Sequence, residues 1–199
     1  AIAVTQGDLT RSITVDVRGE VAELKDNINS MIGTLRATTL SNREQDWLKT
    51  NLAKFGSMMQ GQRDLITLGR MLLSELAPLI NAHQGLMYVV DPAVPGMAPR
   101  LRKLAGYADA GESSGDTLAF GEGLIGQCAA QARMILIHES PAGEAQIRSG
   151  LLSAVPRNII VLPVLFESQV KAVIELASLA EFTASQRSFL EQLSGSIGI

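Results

Sequence analysis

The sequence predicts an α+β protein, with a long N-terminal helix of coiled-coil character leading into a domain built on one central antiparallel β-sheet flanked by helices. Three observations predict it. From Gly19 to about Asn81, apolar residues recur at helical spacing with no Gly–Pro or Asn–Gly break. After Asn81 the period changes to short β-branched runs separated by Gly-, Pro- and Asp-rich loops. Near the end, the runs Asn158–Phe166 and Val170–Ser178 are joined only by Glu167-Ser168-Gln169, a hairpin signal, and a last helical pattern follows.

Residues 1–18 read as a connector. Gly7 is a natural turn, and Leu9, Ile13, Val15 and Val17 are apolar anchors for packing on a helix. Asp16 is placed to cap the helix that starts near Gly19. In that helix Val21, Leu24, Ile28, Met31 and Leu35 are spaced three, four, three, four, the narrow stripe of a coiled coil. Leu52, Met59, Ile66, Leu73 and Ile80 continue at sevens. Leu24, Ile28, Met31, Leu35, Leu52, Met59, Ile66 and Leu73 are therefore expected to form the seam of a parallel homodimer. One helix of this span would be about 90 Å long.

Thr38–Asp46 is polar, and Leu35 and Leu52 are seventeen residues apart where two heptads give fourteen. That three-residue slip reads either as a bistable joint or as an ordinary polar linker turn. From Leu65 a second apolar column appears, Leu65, Leu68, Leu72, Leu76 and Leu79. One face is expected to serve the chain's own domain and the other a second copy, against the alternative of one wide core face. Pro78 should bend or end the helix within a turn. Strands are then expected at Gly85–Asp91, Arg100–Tyr107 and Arg133–Ile137, with loops at Pro92–Pro99, Ala108–Thr117 and His138–Gly150. A short helix is expected after Gly121, and the last helix from Phe182-Thr183, with Phe189, Leu190, Leu193 and Ile197 on one face.

The chain has 199 residues, 46% hydrophobic and 19% charged, enough for one ordinary domain and an extension. A net charge of −3 gives no footprint for nucleic acid. The single cysteine, Cys128, supports neither a disulfide framework nor a cysteine-based zinc site, and it fits a reducing, cytoplasmic setting. No apolar run has the length of a membrane span, so no membrane contact is expected. Ala1 and the apolar pattern running into Ile199 read as the cut ends of a longer protein.

Two stretches carry family resemblances. Val4-Thr-Gln-Gly7-Asp-Leu9-Thr, then Asp16-Val-Arg-Gly19-Glu20-Val21, then Ile28-Asn29-Ser30-Met31, resembles the second half of a HAMP domain, a relay module of bacterial sensor kinases and chemoreceptors. The family's first helix is missing apart from Ala1–Val4, so a two-stranded coil is expected in place of a four-helix bundle. Gly121-Glu-Gly123-Leu124-Ile125-Gly126 with Ala129 and Ala130, then Ile135-Leu-Ile137, Ile160-Val-Leu162-Pro163-Val164-Leu165, Val173-Ile174-Glu175-Leu176 and Phe182-Thr183, resembles a GAF domain, a small-molecule sensor module. Lys171 and Ala172 stand where GAF domains often carry Gly. The resemblances imply residues 1–40 as a partial HAMP, 41–60 as a coiled-coil linker helix and 61–199 as a GAF domain. Together they imply the regulatory part of a bacterial sensor, most often a hybrid histidine kinase, with a kinase core beyond Ile199.

The residues with chemical potential are few. Gly121–Gly126 lacks the Lys-Ser/Thr of a phosphate loop, so its glycines are read as shaping a turn into a short helix. Cys128 is read as a small buried hydrophobe. It has no partner for bilin attachment or for the several-cysteine cycle of GAF-type methionine sulfoxide reductases. His138-Glu139 ends a strand, not the dimeric helix a phospho-acceptor pair requires, and His138 has no fellow metal ligands. His83 is read as structural, near a helix C-terminus. The GAF resemblance places a ligand pocket between the sheet and the Pro92–Thr117 and His138–Gly150 loops. Its candidate liners are Tyr107, Phe120, Leu124, His138 and Glu175. The Asn-Lys-x-Phe-Asp-Glu motif of cyclic-nucleotide GAF domains is absent. No catalytic set, metal or cofactor is expected. The expected function is non-catalytic relay through a homodimer, or small-molecule sensing of a metabolite or nucleotide in the GAF pocket.

Overall fold

The structure is a computed structural model that describes residues 8–16, 18–59, 64–91, 98–109, 116–138, 146–149 and 153–196. The chain divides into two compact units, Ala1–Thr50 and Asn51–Ile199.

In the first unit a connector lies against the first part of helix α1 (Glu20–Met59), whose residues from Asn51 on belong to the second unit. Gly19, at φ +66°, turns the chain, and its carbonyl accepts from Ala22 N and Glu23 N. Gly19 therefore takes the capping position expected for Asp16, because a left-handed glycine can aim its carbonyl down the first turn without strain. Asn29 holds the connector like a clasp, its Oδ1 accepting from Ile13 N at 2.8 Å and its Nδ2 donating to Ile13 O at 3.0 Å. Arg36 Nε donates to Leu9 O at 2.6 Å. Ile32, between these two polar residues on the same helical face, is buried. Ile13 is half-buried and Val15 exposed, so only part of the expected apolar anchoring is realised; Val17 lies outside the described residues.

The expected seam occupies a different face. Val21, Leu24, Met31 and Leu35 are exposed, at 58% for Leu24 and 61% for Met31, while Ile28 is half-buried. Through Thr38–Asp46 the helix continues, which removes the linker-turn reading of that polar stretch. Thr34 and Thr39 donate their hydroxyls to Ser30 O and Leu35 O, so polar side chains here are satisfied within the helix.

The expectation of one helix to Asn81 does not hold. A new helix, α2 (Leu65–Leu79), starts at Asp64, whose carboxylate accepts from Ile66 N and Thr67 N. Those donors belong to a first turn and would be consumed inside a continuous helix. The bond from the Thr67 side chain is the largest influence holding the Asp64 carboxyl below its ordinary pKa. As expected, α2 stops one residue after Pro78.

In the second unit, strands β1 (Gln84–Val90), β2 (Arg100–Tyr107), β3 (Thr117–Ala119), β4 (Ile135–His138), β7 (Asn158–Phe166) and β8 (Gln169–Ser178) form one antiparallel sheet in the order β3-β2-β1-β8-β7-β4. Thr117, expected in a loop, pairs with Arg102 and adds the edge strand β3. Two short strands pair, β5 (Ile147–Arg148) inside the His138–Gly150 stretch expected to be polar loop and β6 (Ser153–Ala154) just after it. The β7–β8 hairpin turns on Glu167 and Ser168, at φ +49° and +64°, the left-handed pair that matches strand twist in a two-residue loop.

Two helices cover one face of the sheet: α2 on β1 and β2, and α4 (Ala184–Ser196) on β7. Leu68, Gly69, Leu72, Leu73, Leu76 and Ala77 of α2 are buried together. Leu73, expected in a dimer seam, is 0% exposed in its own domain's core, as is Ile80. The two apolar columns are thus one wide face, because a helix laid on a sheet buries a broader stripe than a helix paired with one other helix. Of the other expected seam residues here, Leu52 and Met59 are half-buried and Ile66 is exposed. Helix α4 opens with a reciprocal cap, Thr183 Oγ1 accepting from Gln186 N while Gln186 Oε1 accepts from Thr183 N. The opposite face carries α3 (Gly123–Gln131), packed on β7 and β8.

Candidate functional site

The turn into α3 uses its glycines structurally. Gly121 and Gly123 have positive φ, and Gly121 N donates to Gly126 O at 2.8 Å. A Cβ on Gly126 would sit 2.3 Å from Ala119 O, so only glycine allows the backbone to close there. The closure lays α3 over β8 and buries Cys128, whose Sγ donates to Arg133 O at 3.3 Å. Beneath α3 is an apolar cluster of Leu86, Tyr88, Leu101, Ile125, Cys128, Ala129, Ile159, Val161 and Val173.

Glu175 enters this cluster from the middle of β8. Its backbone pairs with Leu86 on one side and Val161 on the other. Strand alternation puts its side chain on the face of Val173, Val161 and Leu86. Burial pushes the Glu175 carboxyl up to about 7. Burial, then the Glu175 charge, pushes the Cys128 thiol up to about 12. That thiol is a poor nucleophile, as the sequence reading of Cys128 expected.

The five predicted liners do not share one face. Phe120 packs against the α3-side cluster and also lines a shallow cleft with Ala98, Pro99, Arg100 and Ala119. Leu124 is on the first turn of α3 and partly exposed. The register puts Tyr107 opposite Gly85, which pairs in turn with Leu176, so Tyr107 belongs to the α2 side. His138 likewise stands on the α4 side: it pairs with Asn158, while Ile137 faces the α3 cluster. The His138 Nδ1 lies 3.3 Å from Nδ2 of Asn158, and Asn158 Oδ1 accepts from Phe182 N at the approach to α4. His83 ties β1 to the end of β8, its Nδ1 accepting from Leu179 N at 3.4 Å. Sequence reasoning missed Tyr88, wholly buried on the Glu175 face, because nothing in a short apolar strand marks which residues will flank a charge. Among the described residues no group of His, Cys, Asp and Glu could hold a metal ion, and no helix is long and apolar enough to cross a membrane.

Residues 62–199 match the family model of the GAF domain. The chain belongs to the GAF domain family. Residues 1–37 match the HAMP domain, so a HAMP domain at the N-terminus is followed by the GAF domain. The GAF fold is similar to that of an Acinetobacter phosphoenolpyruvate-protein phosphotransferase GAF domain, at 18% identity and a TM-score of 0.58, covering 78% of this chain and 90% of that one. It is also similar to free methionine-R-sulfoxide reductase from Neisseria meningitidis, solved with its substrate, at 19% identity and a TM-score of 0.56, covering 73% of this chain and 83% of that one. A methyl-accepting chemotaxis protein segment matches at 13% identity and a TM-score of 0.53, covering 72% of this chain and 92% of that one. At these identities the likeness is one of fold. A HAMP domain followed by a GAF domain is a sensory module of signal transduction.

Proposed function

We propose that this chain is the non-catalytic sensory and relay segment of a sensor histidine kinase, paired with a second copy through parallel α1 helices and passing its signal through the GAF domain to a downstream kinase core. The observation that carries the reading is the exposed stripe Val21, Leu24, Met31 and Leu35, at coiled-coil spacing on a helix whose other face is already covered by the connector. The order of a HAMP domain followed by a GAF domain, a sensory module of signal transduction, supports it. The seam is confined to the first part of α1, because Leu73 and Ile80 are spent on the GAF core. Light scattering on the full 199-residue chain is expected to give a dimer at micromolar concentration. A strict monomer would remove the relay reading. For the kinase assignment, the parent protein should take acid-labile, alkali-stable phosphate from ATP; hydroxyl-linked phosphate or none would remove that assignment and leave the relay.

A second reading, small-molecule sensing by the GAF domain, is favoured by one observation. Glu175 is an ionisable side chain set into an apolar sheet face under α3 with no hydrogen-bond or ion-pair partner among the described residues. Chain-wide screening by thermal shift tests it, and no stabilisation by any metabolite or nucleotide would count against it.

A further inference from the structure

We propose that Glu175 is the anchor for the cationic head of a small organic ligand, a protonated amine or amidine on a short apolar body, bound on the α3 side of the GAF sheet. The proposal rests on the small-molecule sensing reading and names the chemical class sensed.

The argument begins with what surrounds the carboxylate. Its strand neighbours Leu86 and Val161 and its along-strand neighbour Val173 are apolar, and Cys128 of α3 is within electrostatic reach. Among the described residues Glu175 makes no hydrogen bond and no ion pair. Yet no polar side-chain atom of the described residues is both sealed from solvent and unpaired, so the half-buried Glu175 is not wholly closed off by packing. A half-buried carboxyl group with no partner among the described residues, in a face otherwise apolar, must either keep its proton or meet a positive group, and a bound cation would favour the charged form.

Among the described residues, the two lysines that share this face by register are engaged elsewhere. Lys103 stands on the same face by register, opposite Tyr88, but it is ion-paired to Asp109. Lys171, four residues along β8, is exposed and donates to Gln169 Oε1 at 2.9 Å. With these two lysines engaged, a complement from outside the described residues fits, and an apolar face around a single carboxylate selects a molecule with one positive group and a hydrocarbon remainder. An anionic ligand would meet repulsion, and a neutral polar one would leave the charge uncompensated.

Methyl-resolved NMR on the full chain tests this with isobutylamine and 2-phenylethylamine against the size-matched alcohols isobutanol and 2-phenylethanol. The amines are expected to shift the methyls of Leu86, Val161 and Val173, with the alcohols binding about ten-fold more weakly or worse. Glu175→Gln should erase the amine's advantage, with Glu175→Asp keeping part of it; circular dichroism verifies that both variants fold. Equal binding of amine and alcohol to the unmodified chain would overturn the cation assignment while leaving the sensing reading in place. Amine-selective binding that survives Glu175→Gln would overturn Glu175 as the anchor. No methyl shift with any of the four probes would count against both.

Discussion

The ring of Phe55 lies 5.8 Å, centroid to centroid, from the ring of Phe189, tilted by 60°. Phe55 is near the end of α1 and Phe189 is in the middle of α4, and neither is exposed to solvent. The helix that brings the chain into the GAF domain therefore touches the helix that closes it. Lys54 Nζ, one residue earlier, meets Glu75 Oε2 of α2 at 2.5 Å, so the end of α1 is held by both flanking helices. Phe55→Ala should cost about 3–5 kcal/mol in urea unfolding of the GAF unit. A double-mutant cycle with Phe189→Ala should return a coupling of about 0.5–1.5 kcal/mol. Zero coupling would mean that the two rings share a core without supporting each other.

The seam prediction separates two kinds of apolar residue that look alike in sequence. Leu24→Asp with Met31→Asp places charge on exposed positions and should convert a dimer to a folded monomer in light scattering, with circular dichroism unchanged. Leu73→Asp buries an unpaired carboxylate and should instead unfold the GAF domain. If the first pair leaves the dimer intact, pairing does not run through that stripe.

The Glu175 carboxyl, raised to about 7 by burial, makes stability fall as pH rises. The folded state holds this proton more tightly than the unfolded state, so the associated stability is full below the unfolded pKa of about 4.5 and is lost as pH climbs through about 7. Glu175→Gln should therefore stabilise the ligand-free protein at pH 8, by at most about 3 kcal/mol, with the advantage shrinking to little by pH 4.5. Urea midpoints at the two pH values measure it. A difference independent of pH would show that the variant acts through packing.

Gly126→Ala should destabilise the GAF domain on the order of 3 kcal/mol, because the new methyl would press on the carbonyl of Ala119, which is backbone and cannot rotate away. Gly195→Ala, where a Cβ meets nothing within 4 Å, is the matched control and should be near neutral. Thermal melts compare the two.

Cys128, its thiol pushed up to about 12 and wholly buried, should react with an aromatic disulfide reagent only at the rate of opening of the domain. Stoichiometric labelling within seconds at pH 8 in the folded state would contradict the burial.

Much of the fold was legible in residue order. The hairpin was visible because Asn158–Phe166 and the β8 run are β-branched and separated by a tight polar turn, and turn chemistry is local. Asn29 could be singled out within the Ile28–Met31 motif, and the structure gives its role as the clasp on Ile13. The helix break was less legible. Leu52, Met59, Ile66, Leu73 and Ile80 stay on a sevenfold repeat across it, and a repeat records spacing without recording what caps what. Asp64 reads as one more polar residue until its oxygens are seen to take the amides of Ile66 and Thr67.

The candidate site divides in the same way. Strand identities placed Glu175 and Phe120 on the sheet and near its turn, and the glycines around α3 marked the turn itself. The face each residue occupies depends on pairing register and on the irregularity between Met87 and Tyr88, which no single strand's sequence states. Tyr107 and His138 were therefore grouped with residues whose sheet face they do not share.

By itself the sequence determined the class of elements, their order and the two domain families, because periodicity, turn residues and short motifs are properties of neighbours along the chain. Only the tertiary structure decided which apolar stripe is spent at home and which is left exposed: Leu73 is sealed under the sheet, whereas Leu24 stands in solvent. It also left Glu175 without a counter-charge among the described residues. The reason is physical. A stripe or a carboxylate has the same local pattern whether its complement comes from its own chain or from outside, and that choice is made by contacts between residues far apart in sequence.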